Sequence, residues 1–178
     1  MKKVFMLSLV FILVFSFNVG AKRFTKTRYS SFDGVSMIEM EFGAVTNSNL
    51  ALKFDYSILD TIIGSVNKYD ILGGFAFDYK GWNDRVSENI IYGGMRIGEN
   101  ENGIVISLDS KTYYDKNVYL GGDTEFVFWQ KSDTSSLTTD FLIGYKVSKN
   151  LSLECGISWI QSEGESEIGP KLGFQSTF

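Results

Sequence analysis

Apolar and polar residues alternate with a period of two along most of the chain. The segment from Asp140 to Gln161 shows the pattern most completely, because two alternating arms flank the short polar turn Ser148 to Asn150. Successive side chains of a β-strand point to opposite faces, so this alternation predicts strands with one apolar and one polar face. Two such arms joined by a short polar turn predict a β-hairpin.

Similar arms recur from Val35 to the end of the chain, and polar segments separate them. Nine arms are present, or ten if Lys22 to Asp33 forms a first strand rather than a periplasmic tail. The Asp33-Gly34 pair is a tight-turn signal and favours the strand. Single-chain bacterial barrels have an even number of strands, so ten strands are predicted and eight are the alternative. The predicted connections after the first are Thr46–Asn49, Ile62–Asn67, Lys80–Arg85, Gly98–Gly103, Asp115–Asn117, Lys131–Ser136, Ser148–Asn150 and Ser162–Glu167.

The bulk of the apolar face indicates which side points outward. Roughly four large apolar residues per strand would overfill a barrel of this size, whose interior just accommodates side chains. The opposite face mixes glycines with charges of both signs, which can pair inside a narrow lumen. Facing hydrocarbon, each Lys or Arg would cost about 2–4 kcal/mol at the bilayer midplane. The predicted lumen charges are Glu39, Glu41, Lys53, Asp55, Asp78, Arg96, Asp109, Lys111, Asp123, Glu125, Asp140, Lys146, Glu154 and Lys171.

The start of the chain has a different pattern. Lys2 and Lys3 precede an unbroken apolar run from Val4 to Phe17, and small residues follow up to Ala21. This order is typical of a secretory signal peptide, whereas a membrane-spanning helix needs about 20 apolar residues. We predict cleavage after Ala21, which divides the chain into a signal peptide, 1–21, and one all-β domain, 22–178. The expected fold of that domain is a closed antiparallel up-and-down transmembrane β-barrel.

The last arm ends in an aromatic residue that is preceded by apolar residues at alternate positions. Leu172, Phe174 and Phe178 form this pattern, and Pro170 and Ser176 depart from it. Together with the signal peptide, the alternating arms and the hairpin GYKVSKNLSLECGISW, it resembles the small outer-membrane β-barrel family that includes opacity-type and OmpX-like proteins. The resemblance implies a location in the bacterial outer membrane. It also implies outer-membrane lipid and the barrel-assembly machinery as partners, with the terminal pattern as assembly signal, but it transfers no catalytic or binding residue.

Few residues suited to catalysis are present. The chain has no histidine, the usual general base near neutral pH, and a single cysteine, Cys155, on the apolar face of its arm. Carboxylate pairs such as Glu39 and Glu41 have the spacing that any polar lumen face produces. Without histidine or paired cysteines, only an all-oxygen site for a hard cation is conceivable, and the acidic segment Ser162–Glu167 is more simply a solvated loop. We therefore expect no enzyme, catalytic residue, metal or cofactor.

Charge and architecture leave three possible functions. The chain has 17 basic and 21 acidic residues, and this balance argues against nucleic acid as a partner. The first function is envelope integrity or adhesion by a barrel with a filled polar lumen, whose external loops contact a host surface or envelope components. The second is a narrow pore or carrier of small molecules, and the third a soluble periplasmic barrel that binds a ligand inside. The first is preferred because paired charges should fill the lumen.

Overall fold

The computed structural model describes residues 21–61, 64–80 and 85–178. The predicted signal peptide, Met1 to Ala21, lies outside these ranges apart from Ala21, and its cleavage stays a prediction. Within the described ranges, no helix is long and apolar enough to cross a membrane.

Ten antiparallel strands close into an up-and-down barrel, as predicted. They are β1 (Lys22–Phe32), β2 (Val35–Val45), β3 (Leu50–Thr61), β4 (Gly64–Lys80), β5 (Val86–Gly98), β6 (Asn102–Tyr113), β7 (Val118–Trp129), β8 (Thr134–Lys146), β9 (Leu151–Ser162) and β10 (Glu165–Thr177). Each strand pairs with its neighbours in sequence, and β1 pairs with β10 to complete the ring. The segment that follows Ala21 is therefore a strand and closes the barrel, which leaves no unpaired sheet edge.

The alternation places the apolar face on the outside of the barrel, as predicted. In the hairpin of β8 and β9, Phe141 is 58% exposed and Leu153 is 52% exposed, whereas Asp140 and Glu154 are buried in the lumen. Trp159 also lies on the outer face and is half-buried. We call the outward apolar residues the apolar belt; its members include Ile71, Phe75, Ile91, Met95, Ile104, Ile106, Phe141, Ile143, Tyr145, Leu153, Ile157, Leu172 and Phe174.

The strands are long enough to cross a bilayer. The shortest have 11 residues and β4 has 17, whereas a tilted transmembrane strand needs about 9–11. Both described chain ends lie at one end of the barrel, which we call the terminal end, together with the turn Ser148–Asn150. The other end, the loop end, carries the connections Asp33–Gly34, Glu99–Glu101, Gln130–Asp133 and Glu163–Gly164.

Several connections at the loop end are shorter than predicted. Only Glu163 and Gly164 join β9 to β10, and their φ angles of 52° and 86° suit a tight hairpin turn. β4 already begins at Gly64 and β8 at Thr134. The predicted loops Ser162–Glu167, Ile62–Asn67, Lys131–Ser136 and Gly98–Gly103 therefore extended too far into the flanking strands. The strands remain paired through polar residues at their ends. The alternation of apolar and polar residues does not reveal this part of the pairing.

The turn at the terminal end between β6 and β7 has a local stabilising contact. The Asp115 carboxylate accepts hydrogen bonds from the backbone N–H groups of Asn117 (2.6 Å) and Val118 (2.8 Å). These bonds favour the ionised carboxylate and hold the pKa of Asp115 below its usual range. The short predicted turn Asp115–Asn117 is thus present, and its aspartate has the role typical of turn residues.

Candidate functional site

Two rows of carboxylates line opposite parts of the lumen. The first acidic row is Glu41, Asp55 and Asp70 on β2, β3 and β4, and the second is Asp109, Asp123 and Asp140 on β6, β7 and β8. Within each row the residues pair directly in the strand register. Like charges directly opposite each other on antiparallel strands are destabilising. The rows therefore require positive charge close by.

Two basic residues of β1 supply much of that charge. The Lys26 ammonium lies 2.8 Å from Glu41 Oε2, 3.2 Å from Asp109 Oδ2 and 3.5 Å from Asp123 Oδ2, so it joins the two rows. Arg28 donates to Glu41 Oε1 at 3.1 Å and to Glu154 Oε2 at 3.0 Å, and it also contacts Asp123. Lys26 and Arg28 are each only 3% exposed. Such buried charges are retained only when they are paired and hydrogen-bonded.

Basic residues of three other strands complete the network. The Lys53 ammonium lies 3.4 Å from both Asp55 Oδ2 and Asp109 Oδ1. Arg96 donates to Asp70 Oδ1 at 2.7 Å and to Glu125 Oε1 at 2.7 Å. Lys171 donates to Asp140 Oδ2 at 2.6 Å and also contacts Glu39. We call the set that crosses the middle of the lumen the charged layer: Lys26, Arg28, Glu41, Lys53, Asp109, Asp123, Asp140 and Glu154.

Part of the lumen is apolar, contrary to the expectation of a polar interior. Ala51, Leu72, Tyr92, Val105 and Val127 pack together inside the wall formed by β3 to β7, and each is at most 3% exposed. Their burial removes apolar surface from water and fills this side of the barrel. Any path through the lumen therefore runs through the charged layer on the other side.

Two cavities lie on either side of the charged layer. The outer cavity, about 310 Å³, is at the loop end, where Met37, Lys68 and Trp129 are among its lining residues. The inner cavity, about 60 Å³, is at the terminal end, where Lys22 and Glu88 are among its lining residues. Asp109 lines both cavities. The side chains that meet at the Asp109 carboxylate therefore separate the two cavities.

The structure places most of the predicted lumen charges in this network. Asp78 lies outside it, exposed near the terminal end of β4. Lys146 makes a different contact, since its ammonium lies 4.1 Å from the centroid of the Tyr113 ring. The members that pair with an opposite charge are Glu39, Glu41, Lys53, Asp55, Arg96, Asp109, Lys111, Asp123, Glu125, Asp140, Glu154 and Lys171.

Sequence reasoning missed three members of the network. Lys26 and Arg28 belong to a strand whose outward side carries Thr25 and Thr27, so this strand lacks apolar alternation. Asp70 lies on the polar face of its arm, and the charge of that face was a signal that could have identified it. For β1, the corresponding signal was the pair of basic residues two positions apart, Lys26 and Arg28.

Comparisons with known proteins relate the chain to other proteins by fold. No family model and no curated protein matches its sequence. Its structure is similar to that of the KdgM porin, with 10% identity and a TM-score of 0.54 over 87% of this chain and 99% of that one. The NanC porin is similar too, with 9% identity and a TM-score of 0.55 over 88% and 100% of the two chains. The fold is thus that of small outer-membrane β-barrels; the narrower resemblance to opacity-type and OmpX-like proteins stays a prediction.

Proposed function

We propose that the chain forms a narrow channel for small ions in the bacterial outer membrane, closed in this conformation by the charged layer. The observation that carries the proposal is that the outer and inner cavities share Asp109. In the part of the chain that the structure describes, side chains around Asp109 separate the two. The similarity of fold to porins supports a channel, and the small cavities limit it to small solutes.

Residues of the charged layer can change their ion-pair partners and still remain paired with an opposite charge. Lys26 already contacts Glu41, Asp109 and Asp123, so a small movement of its ammonium leaves it paired. Rings of carboxylates are a common lining of cation channels. The acidic rows therefore suit cation permeation. A passing cation would briefly take the place of a lysine ammonium beside the carboxylates of one row.

A purely structural role in the envelope is the second candidate. It is favoured by the ion pairs and the apolar cluster that fill most of the lumen. Adhesion through external loops has less support, because the described loop-end connections have two to four residues and project little. A soluble ligand-binding barrel is disfavoured by the apolar belt, since a contiguous apolar surface of this extent marks a membrane or partner contact.

We also propose membrane partners and a non-enzymatic role for the protein. Outer-membrane lipid is the partner that the apolar belt suits. Leu172, Phe174 and Phe178 project outward and are 58%, 46% and 56% exposed, so they are accessible to an assembly machinery. We propose that the protein is not an enzyme, which the absence of histidine from the sequence supports.

Removing one ion pair from the charged layer should connect the two cavities. In the double variant Lys26→Ala/Asp109→Ala a cation and an anion leave together, so the net charge of the lumen is unchanged. In planar bilayers we expect the wild type to be closed or to conduct weakly, and the double variant to show conductance steps several-fold larger. The matched control Lys149→Ala/Glu163→Ala removes one cation and one anion from exposed turns that line neither cavity, and it should conduct like the wild type.

Folding of each variant is checked by heat-modifiable migration in gels. A double variant that folds and yet conducts no more than the wild type would rule out the proposed closure by ion pairs and favour the structural role.

A further inference from the structure

Three carboxylates converge in the outer cavity. One oxygen from each of Asp55, Asp70 and Glu125 lies within 4.8 Å of those of the other two. Oxygens that surround one Ca²⁺ at about 2.3–2.6 Å have this spacing. Asp55 and Asp70 are also directly opposite each other in the register of β3 and β4. Their mutual repulsion makes the cluster costly without a bound positive charge.

The basic residues nearby compensate this cluster incompletely. Arg96 is the cation bonded to both Asp70 and Glu125. Lys53 is divided between Asp55 and Asp109, at 3.4 Å from each. As ion-pair partners the three carboxylates therefore share one arginine and part of one lysine; Lys68 lines the same cavity, with its ammonium 5.4 Å from the centroid of the Trp129 ring. Asp55 Oδ1 is buried and has no hydrogen-bond partner in the structure.

A second group next to the cluster also lacks a partner. Ser107 lines the same cavity, is 3% exposed, and its hydroxyl oxygen is buried without a hydrogen bond. It lies directly opposite Glu125 in the register of β6 and β7. A buried hydroxyl without a partner costs about 1–3 kcal/mol. A ligand bound beside the carboxylates in this cavity would supply the missing partner.

We infer that the outer cavity holds one hard divalent cation of the Ca²⁺ class, bound by Asp55, Asp70 and Glu125 with the Ser107 hydroxyl. Carboxylate and hydroxyl oxygens are the donors that such a cation prefers. Each carboxylate oxygen that Arg96 contacts retains a second lone pair for the ion. The inference deepens the proposed function, on which it rests for its place at the outer mouth of a channel, but binding itself requires no conduction.

Equilibrium dialysis of the folded full-length protein in detergent with ⁴⁵Ca²⁺ tests the site. We expect about one Ca²⁺ per chain, and we expect Asp55→Asn and Glu125→Gln, which keep size and remove charge, to weaken binding by roughly tenfold or more. Ser107→Ala should weaken it by less. The control Glu163→Gln, in the exposed turn at the loop end, should bind like the wild type.

A second readout does not depend on the folding of ligand variants. Tb³⁺ takes Ca²⁺ sites, and Trp129 lines the outer cavity, so its excitation should sensitise Tb³⁺ luminescence. Trp129→Phe should abolish this signal and leave ⁴⁵Ca²⁺ binding intact.

Three results would overturn the site: no stoichiometric Ca²⁺ binding, binding unchanged in folded Asp55→Asn and Glu125→Gln, or equal displacement by millimolar K⁺. The last two would indicate binding elsewhere and a monovalent site, respectively. A bound Ca²⁺ in a barrel that never conducts would refute the channel and leave the site intact.

Discussion

Replacement of Arg28 by alanine should lower the free energy of unfolding by about 3–5 kcal/mol, the usual cost of breaking a buried ion pair by removing one partner. The Arg28 guanidinium bonds Glu41, Asp123 and Glu154, which lie on three different strands. Its loss leaves these carboxylates, whose side chains are at most 16% exposed, close together with less positive charge to compensate them. Urea unfolding in lipid vesicles, followed by tryptophan fluorescence, measures the change.

The control for this variant is Lys22→Ala. Lys22 pairs with Glu88 at 3.4 Å, but the two side chains are 56% and 40% exposed. An exposed ion pair contributes only about 0–1 kcal/mol. If Arg28→Ala unfolds no more easily than Lys22→Ala, the ion pairs of the lumen contribute little to stability and water must fill the space around Arg28.

A charge in the middle of the apolar belt should have the next largest effect. Ile106 is 58% exposed on the outer face of β6, between the outward residues Ile104 and Leu108. We expect Ile106→Arg to lower the free energy of unfolding in vesicles by about 2–4 kcal/mol, because the guanidinium would enter hydrocarbon near the midplane. The same urea titration applies.

Val147→Arg is the matched control for the belt. Val147 is 53% exposed, at the end of β8 next to the turn Ser148–Asn150. There the charge reaches the membrane surface, so the cost should be about 0–1 kcal/mol. Equal costs at the two positions would mean that the depth of a residue in the belt has no effect, and hence that the belt does not contact lipid.

The alternation of residues predicts the strands, their two faces and the number of strands. The signal is strong around Phe141, Ile143 and Tyr145, because these outward residues are large and the inward residues Asp140, Gly144 and Lys146 are small or charged; Leu142 is the inward exception. A small barrel leaves no room for such side chains inside, so volume alone determines the orientation. The even number of strands then assigns β1 to the barrel, although β1 has little apolar alternation.

The ion pairs of the lumen are not predictable from the pattern. Lys26 and Asp109 are 83 residues apart, and they meet only because the register around the closed barrel brings them to one level. Alternation fixes the face of a residue but not its height relative to strands across the lumen. For the same reason the acidic rows, the shared carboxylate of Asp109 and the separation of the two cavities appear only in the structure.

The apolar cluster was missed for a different reason. Val105 and Val127 lie between outward apolar residues and Leu72 follows one, Ile71, so these short stretches are apolar at consecutive positions. Such runs predict a strand that is buried on both faces, and here lipid takes the place of protein on one of them.

The native cysteine provides the most direct test of the central claim, a charged interior inside a belt that faces lipid. Cys155 projects outward on β9 and pairs in register with the exposed residues Leu172 and Ile143. A nitroxide attached to Cys155 in vesicles should be relaxed strongly by oxygen, which concentrates in hydrocarbon, and weakly by a water-soluble nickel complex. A label at Glu163→Cys in a Cys155→Ser background, at the loop end, should show the reverse. If the nickel complex relaxes the Cys155 label as strongly as the turn label, the outer face meets water and the two faces of the barrel have been exchanged.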